Sequence, residues 1–148
     1  MPERAAAARV VLGFDFGRRR IGVACGDTVS RSARALMTLA SGVDGPRWDA
    51  IKALIGEWQP NLIVVGLPYN ADGSESATTA EARSFAAELK SRFSIDVELV
   101  DERYSSLDAH ARLKSQRESG ARRRRVAKED IDAAAASVIL ERWLTQKH

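Results

Sequence analysis

The 148-residue sequence holds one cysteine, Cys25, and two histidines, His110 and His148. A single thiol excludes an intrachain disulfide, and its place inside an apolar run reads as a small core residue suited to a reducing compartment. Two histidines far apart, with no cysteine partners, make no zinc-ligand pattern. No apolar run approaches the roughly 20 residues of a membrane span, and residues 1–9, although alanine-rich, lack the long apolar core of a signal peptide. The expectation is a cytoplasmic protein with a disordered tail over 1–9. No Gly-x-Gly-x-x-Gly joins the first strand to a helix, so a Rossmann dinucleotide site is excluded. Repeats and a second-domain linker are also missing, and the length suits one domain over 1–148.

What is present is a basic balance carried by clusters. The formal charge is only +3, yet the sequence pI is about 9.3. Arg18, Arg19 and Arg20 form one cluster; Arg122, Arg123, Arg124 and Arg125 form another. Arginine favours bidentate contact with phosphate, so a polyanionic partner such as nucleic acid fits, although solvated loops would carry the same charges.

Residues 10–27, VVLGFDFGRRRIGVACGD, organise the rest. They read as strands over 10–16 and 21–26 joined by a turn. Alternation puts Val10, Leu12, Phe14 and Phe16 on one face, and Val11, Gly13, Asp15 and Gly17 on the other. The second strand repeats the asymmetry, with Ile21, Val23 and Cys25 opposite Gly22, Ala24 and Gly26. Glycine weakens a strand, so a face lined by it implies close approach of a backbone or a ligand. Asp15 on that face is a candidate metal ligand; capping a turn or pairing with the neighbouring arginines is the alternative.

Further along, 34–40 reads as a weak third strand, 41–46 as turn-rich, 48–58 as an amphipathic helix and 61–66 as a buried parallel strand. Residues 67–76 form a loop at a strand's carboxyl end, where α/β proteins place ligands. A helix over 78–92, a strand over 95–100, a helix over 105–114, a mobile basic loop over 115–128 and a last helix over 129–146 complete the order. The fold expected is α/β, a mixed sheet with an antiparallel hairpin end and parallel crossover strands, helices covering both faces.

Two further acidic sites stand at informative places. Asp101 and Glu102 end a strand, and parity does not say which points inward; Glu102 is preferred because Asp101 suits ordering the turn or pairing with Arg103. Asp132 shares a face with Ala135, Ala136, Ile139 and Trp143, although an Asp in a helix's first turn also gains from the dipole alone. Oxygen ligands without histidine or cysteine suit Mg²⁺ or Mn²⁺, and a two-ion site serves phosphoryl displacement.

Four motifs, GFDFGRRRIGVACGD, IVVGLPYNADGS, DERYSS and IDAAAASVIL, in this order and at these separations, resemble the YqgF or RuvX family of RNase H-like proteins. The family is described as Holliday junction resolvases and as nucleases maturing the end of pre-16S ribosomal RNA. The resemblance covers about 10–144. It implies an RNase H-like fold with Asp15, Glu102 and Asp132 as catalytic carboxylates that hold two Mg²⁺ or Mn²⁺ ions. It places Asn70 in a cleft-lining loop, where a turn role is equally open, and Arg20 and Arg103 at basic positions suited to phosphate. Arg18 stands where a small hydroxyl residue is usual and adds charge. Arg122, Arg123, Arg124, Arg125 and Lys128 would close over structured RNA or branched DNA. Resolving a four-way junction needs two active sites, hence a homodimer. A non-catalytic nucleic-acid-binding protein of the same fold is the alternative, and Asp15-Phe16-Gly17 also resembles the phosphate loop of actin-like sugar kinases, a fold that needs two such domains.

Overall fold

Strand propensity and alternation set the centre of the fold at Val10–Asp15, β1. In chain order there follow β2 (Arg20–Asp27), β3 (Ala33–Gly42), β4 (Gly45–Pro46), α1 (Trp48–Trp58), β5 (Leu62–Leu67), α2 (Ala77–Phe93), β6 (Asp96–Asp101) and α3 (Lys128–Lys147). The structure, a computed structural model, describes residues 9–70, 72–102 and 128–147, with the side chains of 128–130 and 146–147 outside the description. The helix expected over 105–114 and the basic segment over 115–127 lie outside the described residues.

The strands form one six-stranded sheet in the order β4-β3-β2-β1-β5-β6. β1 through β4 run antiparallel as a meander, while β5 and β6 join β1 in parallel. β1 is therefore interior, and its neighbours are β2 and β5. Parallel strands buried on both faces read as continuous apolar runs, and Leu62 to Leu67 are all buried.

Each face of β1 and β2 packs against different helices. Leu12, Phe14, Ile21, Val23 and Cys25 meet Ile51 and Leu54 of α1 and Phe85, Ala86 and Leu89 of α2. Val11 and Ala24, on the opposite face, meet Ala136, Ile139, Leu140, Trp143 and Leu144 of α3. Ala133 through Leu140 are all buried, so α3 is apolar nearly all round, as its sequence suggests. Trp143 Nε1 donates to Glu98 Oε1 of β6 at 2.9 Å, which ties the far end of α3 to the sheet.

Several boundaries differ from expectation for local reasons. β1 stops at Asp15 because the chain turns at Gly17, where a Cβ would lie 2.6 Å from the Arg20 carbonyl oxygen. The weak third strand is ten residues long: its pairing with β2 runs to Ala40, and Ser41 and Gly42 then pair with Pro46 and Gly45 across a turn that Gly45 makes at φ 83°. The segment 41–46 is thus a small hairpin. β6 begins one residue late because Ser94 closes α2 in the left-handed region, φ 55°, leaving Ile95 in the connection. Lys128, expected at the end of the basic loop, opens α3 instead. The helix over 48–58 and the free, buried Cys25 stand as expected. Among the described residues, no helix is long and apolar enough to cross a membrane.

Candidate active site

Strand register determines what surrounds Asp15. It pairs with Gly22 of β2 on one side and with Gly66 of β5 on the other. Both neighbours lack a side chain, and each empty position is filled from elsewhere. A Cβ at Gly22 would lie 2.0 Å from the Asp132 carbonyl oxygen, so the backbone of α3 rests directly on β2 there. A Cβ at Gly66 would lie 2.5 Å from Ile139 Cδ1 and 2.9 Å from Glu102 Oε2, so the Glu102 carboxyl occupies the other vacancy. Glu102 follows β6 and donates its own N–H to the Leu67 carbonyl at 3.1 Å, which fixes the residue beside the end of β5. Close approach of a backbone, one of the two meanings of a glycine-lined face, is what the second strand's glycines provide.

Glu102, not Asp101, turns toward Asp15, and the two side chains share a hydrogen bond. Asp101 is exposed. Burial raises the Asp15 carboxyl above its ordinary range, and the negative charge of Asp132 adds to the rise. Burial is also the largest cause holding Glu102 far above the usual carboxylate range, followed by its hydrogen bond and charge interaction with Asp15 and the charge of Asp101. The hydrogen bond favours ionised Asp15 and protonated Glu102, so the pair shares one proton that Glu102 donates. Asp15 therefore does not pair with the arginines of the turn.

Asp132 lies one turn inside α3, beyond the first turn expected of it, because the helix starts at Lys128. Its carboxylate accepts from Arg20 Nε at 2.6 Å, both side chains being partly buried. Arg18 Nε reaches Glu81 of α2 at 2.6 Å on the surface. Gly17, Arg18, Arg19, Arg20, Thr78 and Asp132 line a cleft of about 360 Å³, and Asp132 is the carboxylate it reaches. Arg19, not singled out from its cluster by sequence, lies exposed in this cleft.

Asn70 holds its own loop together. Its Nδ2 donates to Ser74 Oγ at 2.9 Å, and its backbone N–H donates to the Ser74 carbonyl at 2.9 Å. The loop is anchored to α2 by a capping box between Ser76 and Thr79, and the Thr79 hydroxyl donates to the Pro68 carbonyl. Arg83 adds a donor to Tyr69 Oη at 3.0 Å and to Glu75 Oε2 at 2.9 Å. The Ser-x-x-Thr spacing was a readable signal for that anchor; nothing local announced Arg83 or Glu81. Arg103, Arg122, Arg123, Arg124 and Arg125 lie outside the described residues, as does the Lys128 side chain.

The donor set around Asp15 is oxygen alone, which suits a hard divalent cation. Two carboxyls sharing a proton are a place where a cation could replace that proton. As Asp132 stands, turned to Arg20, no three histidine, cysteine, aspartate or glutamate side chains among the described residues form a group that could hold an ion.

Residues 9–146 match the family model described as RuvX, Holliday junction resolvase. A relative from Yersinia pestis (strain Pestoides F), named "Putative pre-16S rRNA nuclease", is 44% identical over 141 residues, covering 95% of this chain and 98% of the relative. Among solved structures, RuvC from T. thermophilus in complex with a Holliday junction substrate superimposes with a TM-score of 0.53 at 14% identity, covering 92% of this chain and 93% of that one. The Fowlpox virus resolvase in complex with Holliday junction DNA gives 0.53 at 8% identity, covering 93% and 99%. These likenesses show the fold, an RNase H-like one shared with resolvases.

Proposed function

The chain belongs to the RuvX Holliday junction resolvase family, and from that premise we propose that it is a metal-dependent endonuclease hydrolysing phosphodiester bonds in structured nucleic acid. The substrate is the 5′ end of pre-16S ribosomal RNA, a four-way DNA junction, or both, and the site of action is the cytoplasm. The observation that carries the reading is the pair of glycines beside Asp15, which lets Glu102 and the backbone of Asp132 come within reach of one strand-borne carboxylate.

Asp15, Glu102 and Asp132 would hold one or two Mg²⁺ or Mn²⁺ ions. Such ions, when bound, make water acidic enough to attack phosphorus near neutral pH and offset charge on the leaving oxygen. The chain's own part is positional. Glu102 would give up the proton it shares with Asp15 to a bound cation, so that binding would release a proton and strengthen as pH rises. Arg18, Arg19 and Arg20 line the adjoining cleft, where guanidinium groups hold the backbone of the substrate. Arg103, Arg122, Arg123, Arg124, Arg125 and Lys128 would add their charge to contacts with the substrate backbone, and Asn70 orders the loop after β5 through its bonds to Ser74.

A non-catalytic nucleic-acid-binding role draws on one observation, the engagement of Asp132 by Arg20. Cleavage of a labelled mobile four-way DNA junction and of a pre-16S RNA 5′ end, with Mn²⁺ or Mg²⁺, separates the two. Metal-dependent cleavage by the wild type, lost in Asp15→Asn, is the expected result; binding without cleavage in both proteins would establish the other role. Symmetric cutting of the junction requires a two-fold dimer, so light scattering on the active species accompanies the assay.

A further inference from the structure

Three consecutive arginines in the turn after β1 take three different situations. Arg18 is held by Glu81 of α2 and Arg20 by Asp132 of α3, each at 2.6 Å. For the Arg19 guanidinium, no ion pair or hydrogen bond is found among the described residues. Arg20 differs from the others in where its partner sits. Asp132 belongs to the carboxylate group, close enough for its charge to be felt at Asp15.

The main chain of Asp132 has no freedom to come nearer the sheet. Its carbonyl oxygen lies against Gly22, in a space where a Cβ would come within 2.0 Å. The main chain of Arg20 is equally fixed, since it is the first residue of β2 and pairs with Ala40. Only the two side chains can rearrange. Asp132 can turn about its side-chain bonds from Arg20 toward Asp15 and Glu102, and Arg20 can swing into the cleft it already lines with Arg18 and Arg19. A guanidinium and a divalent cation would thus compete for the same carboxylate.

We propose that Arg20 is a positioning residue that occupies Asp132 in the metal-free protein and yields it to a divalent cation, which frees the guanidinium to enter the arginine cleft and take a substrate phosphate. The proposal rests on the reading of Asp132 as a metal ligand. It makes cation binding and phosphate capture consecutive uses of one side chain, so that Arg20 joins Arg19 as a second uncommitted arginine of the cleft only once the carboxylates are loaded.

Mn²⁺ titration by calorimetry, without nucleic acid, tests it through a double-mutant cycle on the full chain. Arg20→Gln is expected to bind Mn²⁺ at least about fivefold tighter than wild type, a coupling of the size seen between contacting residues. Combined with Asp132→Asn, the same change should shift affinity by less than about twofold, as for independent sites. Arg20→Lys, which keeps a cation on a flexible stem, should fall between wild type and Arg20→Gln, and circular dichroism confirms that each variant is folded. An equal gain from Arg20→Gln in both backgrounds would mean a diffuse charge effect and would overturn the proposal; weaker Mn²⁺ binding by Arg20→Gln would overturn it as well, by making Arg20 a brace for the bound state. If Asp132→Asn alone leaves Mn²⁺ affinity unchanged, Asp132 is no ligand, and the underlying reading fails together with the proposal in a way the Arg20 variants do not produce.

Discussion

The two faces of the central sheet are built on opposite rules. Toward α1 and α2, β1, β2 and β5 present Leu12, Phe14, Ile21, Val23, Ile63 and Val65, bulky side chains that interlock with Ile51, Leu54, Phe85 and Leu89. Toward α3 the same strands present Val11, Leu62 and Val64 to Ile139, Trp143 and Leu144, but around the site they present Gly13, Asp15, Gly22, Ala24 and Gly66, and the helix answers there with Ala133, Ala136 and Leu140. Area removed from water is the main source of stability, and both faces supply it, the second through Ile139, Leu140, Trp143 and Leu144 packed on Val11, Leu62 and Val64. The second gives up side-chain volume to let a helix backbone touch a strand. That contact sets a carboxylate from α3 beside carboxylates from β1 and the end of β6. Bulky packing and the proposed chemistry lie on the two sides of one sheet.

Phe85→Ala strikes the bulky face at its centre, where the ring contacts Phe14, Phe16 and Trp48 with centroid separations of 5.7, 5.2 and 5.5 Å. The expected loss is about 3–5 kcal/mol of unfolding free energy, the usual range for a buried phenylalanine. Urea denaturation measures it. Cleavage per folded molecule should be unchanged, because the ring packs on the face of the sheet opposite Asp15; a fall in specific activity equal to that of a site variant would break the division between the faces.

Gly22→Ala strikes the other face and should reverse the pattern. The added methyl meets backbone, the Asp132 carbonyl, and cannot be accommodated by a side chain turning aside. Overpacking of this kind costs roughly 1–3 kcal/mol, less than the Phe85 truncation. Cleavage should nevertheless be lost, since relief requires α3 to move away and carry Asp132 with it. Paired urea and cleavage measurements on the two variants sharpen the comparison: the larger stability loss belongs with retained activity and the smaller one with lost activity.

How far this division could be read from sequence depends on which residues carried it. The alternation in residues 10–27 already separated bulky from small faces, and the packing follows it residue by residue. The helix over 48–58 was equally clear, because its apolar spacing and the following proline act locally. Gly66 was legible only as the end of an apolar run; its role depends on β1–β5 register, which no local pattern encodes. The same holds for Arg20, whose partner is 112 residues away, and for Glu81 opposite Arg18. Parity left Asp101 and Glu102 open because they straddle the end of a strand; Asp101 is the last paired residue of β6, and the hydrogen bond from the Glu102 N–H to Leu67 holds the next residue beside the end of β5.

The smallest expected effect concerns the cost of the chemical face itself. In the folded, metal-free protein Asp15 and Glu102 have carboxyl groups raised above their ordinary range, chiefly by burial, and retain a shared proton. In the unfolded chain both ionise near pH 4. Above that pH the native state binds more protons than the unfolded state, so stability must fall as pH rises from about 5 toward 8. Asp15→Asn removes one member of the pair and leaves an amide, which has no charge to bury. Metal-free protein carrying Asp15→Asn should therefore be more stable than wild type at pH 8, by on the order of 1 kcal/mol, with a smaller gain at pH 5. Thermal melts in a chelator at both pH values measure the difference. Excess Mg²⁺ should raise the wild type toward the variant by binding the folded state, while leaving the variant much less affected. A variant less stable than wild type at pH 8 would mean that Asp15 holds the sheet and α3 together as well as serving the proposed site, and the small-residue face would then owe part of its stability to the carboxylate itself.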